Sequence, residues 1–184
     1  MKKKIYQTRE FSIFLRYLSI FALILIIQSY FFLDTLMKVF AYISYYFVSL
    51  FVTASLINWE IHIEPNTIFL IVEECIAPAA YMLIGIIFLT LPIAWRTIVK
   101  SIVYAFLAFT IFNILRIFIL MWIHLRYGVE TFDKYHLLFY DFLSGIGVGL
   151  IIIYFLYKYN IKKVYPIYSD VKYLISVIVK NKKK

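Results

Sequence analysis

Residues 101–123 read SIVYAFLAFTIFNILRIFILMWI, an apolar run with one charged side chain, Arg116. A helix of this length rises about 34 Å at roughly 1.5 Å per residue, which is enough to cross the hydrocarbon core of a bilayer. The sequence therefore predicts a transmembrane helix here. It also predicts a special environment for Arg116, because a guanidinium at that depth costs about 3 kcal/mol or more unless it is paired or hydrated.

The rest of the chain is also apolar. Of its 184 residues, 64% are hydrophobic and 16% are charged, whereas soluble domains are only about half apolar and about 25% charged. Further apolar runs predict membrane spans at 11–33, 76–95 and 136–157. No small-residue cleavage site follows the first run, which is therefore interpreted as a retained anchor. The run 36–56 carries several polar side chains and either spans or lies in the outer interface.

Residues 57–73 have a different pattern. Polar and apolar side chains alternate from Ile57 to Ile63, residues 64–66 read EPN, a turn signal, and residues 67–72 are rich in β-branched side chains. This pattern predicts a small β-hairpin outside the bilayer core. The whole chain is thus expected to be an all-α polytopic membrane protein with about four transmembrane helices, one interfacial helix and this hairpin.

The net charge of +9 is concentrated at the two ends, because basic side chains crowd residues 2–16 and 158–184. Basic residues beside apolar spans are typical of cytoplasmic segments next to anionic lipid. If the run 36–56 lies in the interface, both termini are cytoplasmic and the hairpin is extracytoplasmic; if it spans, one basic end faces outward. The first arrangement is preferred. The distribution favours a multi-pass plasma-membrane protein in contact with lipid over a nucleic-acid-binding protein.

We expect a single membrane-embedded domain that covers residues 1–184. Residues 1–35 form its N-terminal anchor, 36–157 its core and 158–184 a basic cytoplasmic tail. Within the tail, the short segment 165–179 carries Asp and Lys side chains and is predicted to lie on the inner membrane surface.

The chain has one cysteine, Cys75, so an intramolecular disulfide is impossible. Cys75 is predicted at the first turn of a helix, where unpaired amides and the helix dipole favour a reactive thiolate. Glu73 and Glu74 oppose this effect because carboxylates disfavour a neighbouring negative charge. Free cysteines are also often small buried hydrophobes without chemical function, and this alternative stays open.

Counting residues places Cys75, Arg116 and His136 near the same membrane surface. About 21 residues separate Cys75 from the turn at Arg96, and about 20 separate that turn from Arg116. Two antiparallel helices therefore bring Cys75 and Arg116 to similar depth, and the chain returns to that face at His136. A thiol, a cation and an imidazole at one level are what nucleophilic acyl transfer requires.

Each of these groups also has a simpler interpretation. Arg116 lies two turns from its helix end and is able to extend towards the surface. His62 fits a solvated strand residue and His124 an interfacial anchor, which leaves His136 as the best candidate for a base. No two histidines have a paired ligand spacing such as HxxxH, so neither a metal site nor a cofactor is predicted.

The ordered set of polar residues resembles the exosortase/archaeosortase family. The set comprises a strand that ends in Val72-Glu73-Glu74, Cys75 at a helix start, Asn113-x-x-Arg116-Ile117 and then His136. The resemblance covers about residues 36–157. Many exosortases have a small pair such as Ser-Gly after the cysteine, whereas this chain has Ile76-Ala77-Pro78. The short chain is therefore similar to a divergent archaeosortase-type member.

The resemblance implies a membrane cysteine transpeptidase with an extracytoplasmic active site. Cys75 would be the nucleophile, Arg116 would stabilise the oxyanion and His136 would shuttle the proton, supported by Asn113, Glu73 and Glu74. The implied partners are secreted or surface proteins whose C-terminal tail has a short motif, a transmembrane helix and a basic end. Such a tail would be cut and the protein passed to a lipid or other amine acceptor.

A substrate helix would have to dock sideways, and the glycines at 145, 147 and 149 offer a face for close approach. The alternative is a non-catalytic membrane protein, such as a transporter subunit or assembly factor. In that case Arg116 has a structural role, for example paired with Asp141, and Cys75 is inert.

Overall fold

The computed structural model describes residues 2–63, 67–91, 93–161, 170, 172, 173 and 175; for residues 2–10, 140 and 141 it describes the backbone only. The described chain is mostly helical. Its helices are α1 (Lys2–Ile27), α2 (Tyr30–Ser49), α3 (Glu73–Ile76), α4 (Pro78–Thr90), α5 (Trp95–Tyr127), α6 (Val129–Leu138) and α7 (Ser144–Lys158). A π-helical turn, Phe139–Leu143, joins α6 to α7. Its strands are β1 (Ala54–Ile57), β2 (Glu60–Ile63) and β3 (Thr67–Leu70).

The strands form one antiparallel sheet in the order β1-β2-β3. The predicted two-stranded hairpin at 57–73 was therefore incomplete, because β1 comes from residues assigned to the interfacial helix 36–56. Asn58 and Trp59 have positive φ angles of 49° and 69°, as the tightest hairpin turns require. They fold β1 back onto β2, whose Ile61 and Ile63 are buried against the helices.

The first two helices also differ from the prediction. The run predicted as one span, 11–33, is broken after Ile27, and Ser29 caps the start of α2 by accepting a hydrogen bond from the Phe32 N–H at 3.3 Å. The run predicted to lie in the interface forms α2. Among the described residues, three helices are long and apolar enough to cross a membrane: Tyr30–Ser49, Glu73–Thr90 and Trp95–Tyr127. The apolar helices Phe11–Ile27 and Ser144–Lys158 are shorter.

Together, α1 and α2 follow the bundle once from end to end. Their contacts move steadily along α4 and α5: Leu23 lies on Gly85, the Phe32 ring on Tyr81, the Phe47 ring on Phe118 and the Phe51 ring on Trp122. At the starting end, Arg16 pairs with Asp170 at 2.5 Å. The sheet covers the opposite end, where α2 passes into β1.

The last helices return along α5. Gly128, at a φ of 80°, turns the chain from α5 into α6, so the predicted span 136–157 begins inside α6, crosses the π turn and continues as α7. Near its end the Phe155 ring packs on Phe88, and the hydroxyls of Tyr159 and Ser101 share a hydrogen bond of 2.8 Å. Of the predicted surface segment 165–179, only residues 170, 172, 173 and 175 are described.

Candidate functional site

The chain around Cys75 contains a break between two helices. The single turn α3 ends at Ala77, which has left-handed angles (φ 56°, ψ 61°), and Pro78 opens α4. A left-handed conformation costs a non-glycine residue about 1–2 kcal/mol, and a proline has no N–H to donate. The break therefore leaves nearby carbonyl groups to be satisfied from outside the helix.

Two side chains of α5 supply those hydrogen bonds. Asn113 Nδ2 donates to the carbonyl oxygens of Cys75 at 2.7 Å and of Ile76 at 3.0 Å. Arg116, one turn later, donates from Nη2 to the same Cys75 oxygen at 2.7 Å. Three residues that the sequence singled out thus meet at one point, although 38 and 41 positions separate Cys75 from the other two.

Arg116 does not extend to the surface. Only 3% of the residue is exposed, and its Nη1 donates to Ser144 Oγ at 2.6 Å. The interpretation of Arg116 as an extended interfacial side chain is therefore wrong. Because the oxygen that accepts from Nη2 belongs to Cys75 itself, the guanidinium lies within one residue's dimensions of the thiol, and its charge acts on that thiol.

Ser144 was missed in the sequence. It is 8% exposed and opens α7, directly after the π turn. Its hydroxyl accepts from Arg116 and donates to the Phe139 carbonyl oxygen at 3.1 Å. The only available signal was a hydroxyl inside an apolar span, which by itself does not distinguish a functional residue from a residue bonded within its own helix.

His136 lies in a different environment from the other two predicted catalytic residues. Its half-buried ring stacks on Phe132 with centroids 5.4 Å apart, and Phe132 also meets the edge of His124 at 5.3 Å. The His124 ring in turn packs against Phe69 at 4.7 Å. Within the described part of the chain, no hydrogen bond or ring contact links His136 to Cys75.

Glu73 and Glu74 line a cavity of about 500 Å³ between α4 and α7. Small residues make up most of its remaining walls, and Ser144 also lines it. Both carboxylates are exposed. The cavity therefore has an acidic mouth and reaches the serine that holds Arg116.

The three glycines of α7 do not share one role. A Cβ on Gly147 would lie 2.6 Å from the Phe112 ring, so this glycine is required for packing of α7 on α5. Gly145 and Gly149 have no atoms within 4 Å of that position, and Gly145 lines the cavity. Only this pair, four residues apart, is left open by the described chain.

The remaining candidates are explained locally. His62 Nε2 lies 3.3 Å from a carboxylate oxygen of Glu60 on the same strand. The described residues contain no group of three or more His, Cys, Asp or Glu side chains able to hold a metal ion. The alternative pairing of Arg116 with Asp141 concerns a side chain outside the described set.

No family model, no curated protein and no solved structure matches this chain. The class that the fold defines is therefore a mostly helical protein with three helices able to cross a membrane and a small antiparallel sheet. The resemblance to exosortases and archaeosortases rests on the residues of the chain and stays a prediction.

Proposed function

We propose that the protein is a membrane-embedded cysteine protease or transpeptidase of the exosortase/archaeosortase type. It would cut the C-terminal sorting tail of secreted proteins and transfer them to a lipid or other amine acceptor. The observation that carries this proposal is the convergence of Arg116 and Asn113 on the carbonyl oxygen of Cys75, the one cysteine of the chain. A buried guanidinium beside a thiol favours its thiolate form.

The proposed reaction has two acyl-transfer steps. The Cys75 thiol gives its proton to His136, and the sulfur attacks the scissile carbonyl carbon. The resulting oxyanion is stabilised by Arg116. The C–N bond then breaks, the amine leaves with the proton from His136, and an acyl thioester remains. An acceptor amine gives its proton to His136 and attacks the thioester, which forms a new amide and releases the sulfur.

His136 must come closer to Cys75 for this scheme to work. Catalytic contacts are often long before substrate binds, and substrate closes them. The Phe132 stack places the imidazole on α6, and the π turn connects that helix to Ser144. A shift of α6 towards the thiol when a tail binds would complete the set.

The two ends of the bundle support an orientation. Arg16 pairs with Asp170 at the end opposite the sheet, near the basic segments 2–16 and 158–184. We propose that this end is cytoplasmic and that the sheet and Cys75 lie towards the extracytoplasmic face of the plasma membrane. In this orientation α1 and α2 together make one crossing, α4, α5 and α7 make three more, and both termini are cytoplasmic.

A substrate tail would approach from the lipid. The cavity beside Ser144 opens between α4 and α7, and Gly145 and Gly149 allow a helix to come close there. Glu73 and Glu74 at its mouth would meet polar or basic groups of the segment next to the cleavage motif.

A non-catalytic membrane protein is the second candidate. The observation that favours it is the use of Arg116, whose described hydrogen bonds hold the backbone break and Ser144 together. His136, packed on Phe132, would then be structural as well. In this case Cys75 reacts slowly with alkylating reagents and no tail is processed.

The deciding experiment follows a secreted reporter whose C terminus carries a short motif, a transmembrane helix and a basic end, taken from the source organism. Cys75→Ala should abolish the size change of this reporter on a gel while the protein stays folded and inserted, because no neighbouring group replaces the sulfur. His136→Ala should be severe, and His62→Ala and His124→Ala should be mild controls. Trimming at a normal rate by Cys75→Ala would refute the proposal.

A further inference from the structure

Ser144 connects the two halves of the candidate site. Its buried hydroxyl accepts from Arg116 Nη1 at 2.6 Å and donates to the Phe139 carbonyl oxygen at 3.1 Å. We propose that Ser144 is a positioning residue, which fixes the Arg116 guanidinium so that its other terminal nitrogen stays on Cys75. Its effect on tail cleavage rests on the proposed function, whereas its effect on Cys75 does not.

The geometry of a guanidinium explains why a second anchor matters. The group is planar and rigid, so bonds at both terminal nitrogens fix its position and its rotation. Nη2 alone, on the Cys75 oxygen, would let the plane turn about that bond. With Nη1 held by Ser144, the plane is set between α3 and α7. The distance of the positive charge from the thiol is then determined by Ser144.

The π turn directs the Ser144 hydroxyl towards α5. The Ser144 N–H donates to the Phe139 carbonyl, five residues earlier, and the hydroxyl donates to the same oxygen. In a regular α-helix that N–H would bond four residues back, and every residue after the turn would rotate by about 100°. π turns are rare and occur often at functional sites. The extra residue therefore sets how Ser144, and with it Arg116, faces Cys75.

The positioning role can be separated from simple satisfaction of a buried polar group. If Ser144 only satisfied a donor, its loss would lower stability and leave Cys75 chemically unchanged. If it positions the guanidinium, its loss moves a charge relative to the thiol and changes the reactivity of the thiol. Cys75 is the one cysteine, so alkylation of the whole chain reports on this site alone.

The experiment measures the rate of alkylation by N-ethylmaleimide on the full chain in detergent at pH 7.5, per folded protein. Ser144→Ala should slow the reaction at least threefold. Ser144→Thr keeps the hydroxyl, and its methyl group has room in the adjoining cavity, so it should react within a factor of two of the unchanged protein. Ser101→Ala is the matched control: Ser101 is also buried and bonded to a side chain, Tyr159, but lies at the other end of the bundle.

The result that overturns the proposal is a Ser144→Ala rate equal to or above that of the unchanged protein, or a Ser144→Thr rate that falls with it. In the reporter assay, Ser144→Ala should lower kcat about tenfold with KM within twofold. If Cys75→Ala leaves the reporter assay unaffected, the proposed function fails, and the alkylation rates still decide the role of Ser144.

Discussion

Two arginines inside the bundle, Arg16 and Arg116, hold their surroundings in different ways. Arg16 has 22% of its side chain exposed and joins α1 to Asp170, across 154 positions of the chain. Arg116 is almost fully buried and binds a backbone carbonyl and a hydroxyl. Partly exposed ion pairs contribute little because water competes for both charges. Burial rather than charge thus distinguishes a group that fastens a chain end from one able to act on a thiol.

The largest effect is expected at Arg116. Arg116→Gln removes two charge-assisted hydrogen bonds, each worth about 1.5–3 kcal/mol, and should lower the free energy of unfolding in detergent by about 3 kcal/mol or more. Arg116→Lys keeps the charge but lacks the planar fork, so it should lose most activity and part of the stability. Denaturation monitored by circular dichroism measures this. A loss no larger than that of Arg16→Gln would contradict the role of burial.

Asn113 tests whether the helix break itself needs support. Asn113→Ala leaves the Ile76 carbonyl without the hydrogen bond seen here and the Cys75 carbonyl with Arg116 alone. The expected cost is about 1–3 kcal/mol for the buried groups left unsatisfied. Asn113→Asp cannot donate and should be at least as damaging. Denaturation of Ser101→Ala in parallel controls for loss of a buried hydrogen bond far from the break.

The sequence predicted the elements that length and hydropathy determine. The apolar runs 76–95 and 101–123 correspond to α4 and α5, and counting along them placed Cys75 near Arg116. Hydropathy could not locate the break at Ser29, because one capping hydroxyl hardly changes the average of an apolar run. Nor could it find β1, whose Ala54–Ile57 is as apolar as a helix. The role of Ser144 depends on a π turn, which is a matter of backbone register that the side-chain pattern does not reveal.

A third prediction compares two glycines of α7. Gly147→Ala should cost about 1–3 kcal/mol, because its methyl group would collide with the Phe112 ring near Arg116. Gly149→Ala should leave stability unchanged or slightly raised, since nothing lies within 4 Å and alanine favours helix. Gly149→Ile should reduce reporter processing if a substrate helix docks there. Equal stability loss for the two alanine variants would show that the packing around α7 differs from that described.

The smallest effect is expected at Arg16. Arg16→Gln should lower stability by about 1 kcal/mol or less, as for other partly exposed ion pairs, and leave Cys75 alkylation unchanged. A double-mutant cycle with Asp170→Asn isolates the pair from other effects of each substitution. A change in alkylation rate would mean that the two ends of the bundle are coupled.

The break at Ser29 decides the parity of the chain's passage through the bundle. Five apolar helices counted separately give an odd number and would put Arg16 and Tyr159 at opposite ends. Because α1 and α2 share one passage, the number is even, and both residues lie at the same end. During synthesis, the apolar part of α1, Phe11–Ile27, falls short of a full span. Stable insertion of the first crossing should therefore wait until α2 has left the ribosome.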